Sequence, residues 1–223
     1  VDAAGDRFEI LIVDNGSDPP LPTPADLRVT LLHEATPGSY AARNRGLAAA
    51  RGEILAFTDS DCLPSPTWLA EGIAALEERL TGGGEQRLGW VGGAVELVPQ
   101  REGRPNCVEA FDMACNIDQE WVVRTQNGAL TANLFTTRAT VDARGPFDAQ
   151  RMTGGDIEWT QRSHKAGYPI GYAPRAIVHH PARGTIRSLS AKMRRFAGGR
   201  RRTHPLWMYA LHTIRLLLLP SSR

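Results

Sequence analysis

Apolar runs alternate with amphipathic stretches along the first hundred residues. Short runs rich in β-branched and aliphatic residues cover 7–14, 28–35, 53–58 and 88–98. Between them, the Ala- and Arg-rich stretch 39–52 and the amphipathic stretch 65–80 have helical character. Strands that alternate with helices predict an α/β domain whose sheet is mainly parallel and flanked by helices.

Local signals set the expected ends of the two helices. Gly52 stops the first helix, and Ser65 and Pro66 are expected as N-cap and first helical residue of the second. The glycine-rich stretch 81–86 is expected to be a surface loop.

Carboxylates follow two of these predicted strands. Asp14 ends the first, and Asp59 and Asp61 follow the third. In such sheets, ligands bind outside the carboxyl ends of the strands. An Asp-x-Asp pair offers the oxygen ligands that Mg²⁺ and Mn²⁺ prefer. The alternative is an acidic pair that stabilises the start of the next helix, and the preceding strand favours the metal site.

A second polar segment lies at residues 153–183. Asp156 follows two glycines, and a carboxylate there can be a helix cap or a general base. His179 and His180 end a short predicted strand, 176–180. Histidines at such a position are structural unless a metal is nearby.

Charge is distributed unevenly along the chain. Residues 159–223 contain 13 of the 26 lysines and arginines and none of the 24 acidic residues. A basic half indicates an anionic partner such as phosphate, nucleic acid or a membrane surface, with a solvated helix face as the alternative.

The C-terminal tail, residues 186–223, is predicted to be a basic and apolar helical segment apart from the domain at 1–185. Its apolar stretch, 206–219, has 14 residues. A membrane span needs about 20, so an interfacial helix on anionic lipid is favoured over a span. The alternative is a helix packed on the domain. Nucleic-acid binding is disfavoured because aromatic residues are not interleaved with the basic ones.

The three cysteines, at 62, 107 and 115, show no metal-ligand spacing and no disulfide pattern. Together with the lack of a signal peptide, they indicate free thiols and a cytoplasmic location.

Four ordered segments resemble family 2 glycosyltransferases, which have the GT-A fold: residues 8–17, 39–69, 132–148 and 154–183. The resemblance covers most of residues 7–184. The strand and helix with which this family normally opens are missing, so an N-terminally truncated GT-A domain is expected.

The resemblance implies a donor site. Asp14 and Asn15 would contact the nucleotide, Arg43 would lie near its ribose or diphosphate, and Asn133 near the donor sugar. Asp59 would serve the donor as well as the metal.

The resemblance also implies roles in catalysis. Asp59, Asp61 and His180 would hold Mn²⁺ or Mg²⁺, and Asp156 would be the catalytic base. Glycine replaces the glutamate that usually precedes this aspartate. Trp159 and Glu158 would face the acceptor.

The function expected from these roles is inverting, metal-dependent transfer of a sugar from a nucleotide diphospho-sugar to a saccharide or lipid-linked hydroxyl. Its setting would be cell-envelope or exopolysaccharide synthesis at the inner face of the membrane. Two alternatives are a non-catalytic module that binds sugar nucleotides and a nucleotidyltransferase. The second usually has a glycine-rich loop after its first strand, which this sequence lacks.

Overall fold

The computed structural model describes residues 8–26, 28–81, 89–115 and 117–200. The strands within these ranges are β1 (Ile10–Asp14), β2 (Val29–His33), β3 (Ile54–Thr58), β4 (Leu63–Pro64), β5 (Trp90–Val98), β6 (Asn133–Thr137) and β7 (Ile170–Pro181). The helices are α1 (Ser39–Ala49), α2 (Trp68–Thr81), α3 (Cys107–Cys115), α4 (Gln119–Gln126), α5 (Arg138–Arg144), α6 (Gly155–Lys165) and α7 (Ile186–Arg200).

The strands form two separate sheets. β1 and β2 pair in parallel as a two-stranded sheet, and the others form a five-stranded sheet in the order β3-β6-β5-β7-β4. The α/β class is confirmed, and the described strands form mixed sheets, in which β1 is parallel to β2 and β5 is parallel to β7. β6 is antiparallel to both β3 and β5, and β4 is antiparallel to β7. Helical connections allow either direction, and the neighbours that decide it are distant in sequence.

A gap separates the two sheets. Among the described strands, β1 pairs only with β2, and β3 at the end of its sheet pairs only with β6. Residues of both strands line the same cleft. Ile10 and Ile12 of β1 remain 41% and 38% exposed, although aliphatic side chains of a sheet are usually covered.

The five-stranded sheet is covered on both faces. Neighbouring residues of β6 point to opposite sides, and Leu134 and Phe135 belong to different core clusters. The cluster that contains Phe135 includes Leu76 of α2, and the one that contains Leu134 includes Trp159 of α6. This double burial fixes the sheet that carries most of the polar residues described below.

The second predicted helix begins later than expected. α2 starts at Trp68, and the Ser65 backbone N–H donates to the Ile177 carbonyl instead of lying in a helix. The Ser65 hydroxyl has no hydrogen-bond partner, so it is not the N-cap. Residues 63–65 instead extend along β7, which draws the preceding turn towards His180.

The first part of the tail packs on the domain. The Lys192 ammonium of α7 lies 3.2 Å from the Asp112 carboxylate of α3, and both side chains are buried. Residues 201–223, with the apolar stretch 206–219 and two arginines of the predicted membrane contact, lie outside the described residues. In the part of the chain that is described, no helix combines the length and the apolar character that crossing a membrane requires. A tail segment apart from the domain stays a prediction.

Candidate active site

Polar residues from both sheets line one cleft of about 3370 Å³. Of the residues singled out from the sequence, it is lined by Asn15, Arg43, Asp59, Asp61, Asp156, Glu158 and His180. A small-molecule site commonly has a volume of roughly 300–1,000 Å³. The excess volume includes the gap between β1 and β3, so the cleft is open along one side.

The turn after β3 directs its two aspartates differently. The Asp59 carboxylate accepts a hydrogen bond from the Arg43 guanidinium at 2.8 Å, and its carbonyl accepts one from the Cys62 backbone N–H. The Arg43 guanidinium also lies 5.4 Å from the centre of the Tyr40 ring. Asp59 is thus held by an arginine, and Asp61 is left to face the cleft.

Asp61 lies beside His180. Its carboxylate is 3.6 Å from the His180 Nε2 atom, and its side chain is 49% exposed. The His180 Nδ1 atom lies 2.9 Å from the Pro181 carbonyl oxygen, which can only accept. Nδ1 therefore carries a proton, and in the neutral ring Nε2 offers a lone pair towards Asp61. This is how metal-bound histidines are usually oriented.

A divalent cation fits between these two side chains. An oxygen and a nitrogen that bind one ion at about 2.1 Å in tetrahedral geometry lie about 3.4 Å apart, close to the observed separation. Two of the three predicted ligands, Asp61 and His180, come together. The metal-ligating group found among the described residues contains Cys62 as its third member in place of Asp59.

Asp156 lies in the first turn of α6, beside Tyr40 of α1. The Tyr40 hydroxyl donates to the Asp156 carboxylate at 3.3 Å and accepts from the Gly155 backbone N–H at 2.8 Å. A side-chain carbon on residue 155 would lie 2.7 Å from the Tyr40 ring. The glycine that departs from the family pattern therefore makes room for this tyrosine.

Burial perturbs both members of this pair. It raises the pKa of Asp156, against the Arg43 charge and backbone hydrogen bonds that lower it. The pKa of Tyr40 is raised to about 12 by burial and by the Asp156 charge. Tyr40 therefore stays a hydrogen-bond donor at neutral pH, and Asp156 holds a proton more tightly than an ordinary aspartate.

The residues at the end of β1 organise their own loop. Asp14 is buried and does not line the cleft, and its carboxylate accepts from the Ser17 backbone N–H. The Asn15 amide donates to the Glu34 and Thr36 carbonyls and accepts from the Gly38 N–H. Asn15 thus fixes the loop that enters α1, and its side chain is engaged there.

Two residues predicted for the site are core residues instead. Asn133 is fully buried, donates to the Ala94 and Ala176 carbonyls and accepts from the Trp68 ring N–H. Its side chain does not line the cleft and its polar atoms are all hydrogen-bonded, and a donor-binding role for Asn133 stays a prediction.

Trp159 is the second. It is fully buried, its ring centre lies 3.7 Å from that of Phe147, and its N–H donates to the Gly145 carbonyl. Trp159 does not line the cleft, and an acceptor wall formed by it stays a prediction. The neighbouring Glu158 does line the cleft, and it pairs with Arg162 at 3.1 Å.

Tyr40 and Cys62 were not predicted from the sequence. Tyr40 is the only aromatic residue of α1, near its start, and this was a usable signal. Cys62 is adjacent to Asp61, but its partner His180 is 118 positions further along the chain. No spacing rule joins these two residues, because β4 brings them together by pairing with β7.

Comparison with known proteins gives one family. Residues 1–86 match the model of glycosyl transferase family 2. The chain is 36% identical over 184 residues to the glycosyltransferase AglE of Haloferax volcanii. The match covers 79% of this chain and 58% of that protein.

Two solved structures have a similar fold. The mannosyltransferase PcManGT of Pyrobaculum calidifontis, in complex with GDP-Man and Mn²⁺, has a TM-score of 0.58 at 20% identity. The match covers 87% of this chain and 53% of that one. S. aureus TarS 1-349 in complex with UDP-GlcNAc has a TM-score of 0.54 at 18% identity, over 80% of this chain and 50% of that one. The chain thus spans about half the length of each of these proteins.

Proposed function

The chain belongs to glycosyltransferase family 2, and we propose that it carries the metal site and catalytic base of an inverting sugar transferase. The likeness to solved structures confirms the GT-A fold expected from the sequence. The donor would be a nucleotide diphospho-sugar and the acceptor a hydroxyl group. Since the chain spans about half of its relatives, the activity and substrates of the whole protein belong to this proposal.

One observation supports this proposal most strongly: a carboxylate with a raised pKa and a pair of side chains able to bind a metal line the same cleft. Asp156 is the carboxylate, and Asp61 with His180 is the pair. Perturbed titratable groups beside a ligand set are typical of catalytic sites. A purely structural aspartate would have no reason to face the cleft that holds the metal ligands.

The metal end would receive the donor diphosphate. Asp61 and His180 would hold Mn²⁺ or Mg²⁺, and such an ion, when bound, neutralises charge on the departing diphosphate. Both solved relatives bind nucleotide sugars, and PcManGT also holds Mn²⁺. Arg43 supplies a further positive charge at this end, and Asp59 keeps it in place at 2.8 Å.

The other end would activate the acceptor. Asp156 takes the proton of the acceptor hydroxyl as the oxygen attacks the anomeric carbon from the face opposite the diphosphate, which inverts that carbon. A base is most effective when its pKa approaches the working pH, so the raised pKa of Asp156 suits this role. The hydrogen bond from Tyr40 fixes the direction of the carboxylate.

The acceptor would be a saccharide or a lipid-linked hydroxyl in cell-envelope or exopolysaccharide synthesis at the inner membrane face. Arg183 and Arg195 also line the cleft and suit a phosphate-bearing acceptor. Arg194 and Arg195 belong to the basic tail. Vesicles of anionic lipid are expected to sediment the chain, and glutamine at residues 200–202 should abolish this; unchanged sedimentation contradicts membrane contact.

Asp156→Asn tests the catalytic role. Transfer should fall by roughly 10²–10⁴-fold while nucleotide binding remains, because a general base contributes about that much. Burial of the charged form costs folding stability above the ordinary pKa of 3.8, so the variant should also melt higher at neutral pH. This gain should vanish as the pH falls below 3.8. Full activity in the variant would remove Asp156 as the base.

A second candidate is a non-catalytic module that binds sugar nucleotides. Among the described strands, β1 pairs only with β2 and β3 only with β6, which favours the module because a sheet divided in this way positions substrates less firmly. Calorimetric titration with UDP, GDP and dTDP, each with Mn²⁺ and with EDTA, separates the possibilities when combined with a transfer assay. Metal-dependent binding with transfer supports the enzyme, binding without transfer supports the module, and no binding contradicts both.

A further inference from the structure

A cysteine completes the metal-ligating pair. The Asp61 carboxylate oxygen, the Cys62 Sγ atom and a His180 ring nitrogen all lie within 4.8 Å of one another. We propose that Cys62 is a third ligand, so that the site takes thiophilic ions such as Zn²⁺ and Co²⁺ through oxygen, sulfur and nitrogen. This rests on the proposed metal site and adds a ligand and an ion preference to it.

Two strand contacts hold the three atoms together. The Cys62 backbone N–H donates to the Asp59 carbonyl at 3.0 Å, which closes the turn after β3. The next residue, Leu63, is paired in register with His179, the neighbour of His180. Cys62 is therefore fixed on one side by a tight turn and on the other by the sheet that carries the histidine.

The other cysteines lack such surroundings. Cys107 and Cys115, at the two ends of α3, are exposed, and neither belongs to the metal-ligating group found among the described residues. Cys62 is half-buried and lies beside the cleft-lining Asp61. The chain thus provides two matched thiols that serve as internal controls.

The donor set favours a different ion from the one a pair of carboxylates would. Oxygen-only sites suit Mg²⁺ and Mn²⁺, whereas a site with Cys and His suits Zn²⁺ and Co²⁺. Zinc commonly has three protein ligands and one open position in catalytic sites. When the ion binds, the thiol loses its proton to solvent, and the sulfur takes the ion in its place.

Occupation by such an ion should compete with Mn²⁺. Affinity for a given site rises from Mn²⁺ to Co²⁺, and zinc also exceeds manganese, so low concentrations of Zn²⁺ are expected to displace Mn²⁺. The bound ion should also shield Cys62 from thiol reagents, while Cys107 and Cys115 remain reactive.

Cobalt absorption tests the ligand directly. The wild-type chain and Cys107→Ser, titrated with Co²⁺ alone, should both develop the near-ultraviolet charge-transfer band of a cobalt–thiolate bond. Cys62→Ser should lose this band while it keeps the weak visible absorption of protein-bound Co²⁺. Circular dichroism of each variant checks that it is folded.

The outcomes separate the two proposals. A charge-transfer band that persists in Cys62→Ser, or wild-type chain that binds Co²⁺ without the band, overturns Cys62 as a ligand but leaves the Asp61–His180 site standing. Loss of all Co²⁺ absorption in Asp61→Ala and His180→Ala supports that site. Failure of the wild-type chain to bind Co²⁺ at all overturns the metal site and the cysteine ligand together.

Discussion

The side-chain amides of two asparagines, one in each sheet region, each make three hydrogen bonds to described residues, in very different surroundings. Asn133 lies fully buried in the five-stranded sheet, where its amide joins β5, β7 and α2. Asn15 follows the two-stranded sheet, where its amide joins the loop before α1 and lines the cleft. The first stabilises the scaffold, and the second shapes a surface that a ligand can reach. Two side chains with equal numbers of hydrogen bonds can therefore contribute differently to the stability of the fold and to the binding surface.

The largest expected effect is that of Asn133→Ala. It removes the side-chain hydrogen bonds to the Ala94 and Ala176 carbonyls and from the Trp68 N–H, and should lower the free energy of unfolding by about 3 kcal/mol. The Asn133 amide is also tightly packed, because a side-chain carbon on Gly93 would lie 2.4 Å from it. Urea denaturation measures the loss, with exposed Gln150→Ala as the control. A loss below 1 kcal/mol would contradict the network.

Asn15→Ala should lower the free energy of unfolding by roughly 1.5 kcal/mol, half the loss at Asn133, because water can replace some of the hydrogen bonds of its amide. It should also weaken nucleotide binding, since the loop that enters α1 loosens. The double variant with Asn133→Ala should lose the sum of the two within about 0.5 kcal/mol. Strong non-additivity in urea denaturation would show that the two regions unfold as a coupled unit.

Tyr40→Phe tests one of the contacts that join the two regions. Losing the hydrogen bond to the Asp156 carboxylate should raise the pKa of Asp156 further. The base works in its charged form, so the rise of kcat/KM with pH should move to higher pH and transfer at neutral pH should fall about 10-fold. Tyr168→Phe, outside the cleft, is the control. An unshifted pH profile would argue against Tyr40 as a positioning residue.

The smallest effect belongs to Glu9→Gln. The Glu9 carboxylate pairs with Arg51 at 3.0 Å, and hydrogen bonding to the Arg51 backbone lowers its pKa. A lowered pKa means that this stability is present above the ordinary pKa and is lost as the pH falls through the folded value. We expect about 0.5 kcal/mol at neutral pH, measured against pH by thermal unfolding. A larger loss of stability at acidic than at neutral pH would contradict the expected direction of this pH dependence.

The sequence predicted the elements whose pattern is local. β1, β2, β3, β5, α1 and α2 all occur close to where periodicity placed them. The directions in which the strands pair were not predictable, because β6 joins strands from distant parts of the chain. β4 was missed because it has two residues, one of them proline.

The residues of the candidate site were likewise predicted only in part. Asp61, His180 and Asp156 were predicted from motifs, and the structure gathers them in one cleft. Asn133 and Trp159 lie in the core, which a motif does not reveal because it does not show which side of a strand or helix a residue faces. Tyr40 was missed because its partner Asp156 is 116 positions away.

The division between β1 and β3 has an entropic consequence. Among the described residues the two sheets share no strand pairing and are joined through side chains, as between Tyr40 and Asp156, so a small shift between them costs less than a shift within one sheet. A ligand that touches both Asn15 and Asp61 restricts that motion, and the loss of conformational freedom offsets part of its favourable contacts. Any binder that first immobilises the two sheets would relieve the donor of this cost. Affinity for the nucleotide would then increase without a single new contact to it.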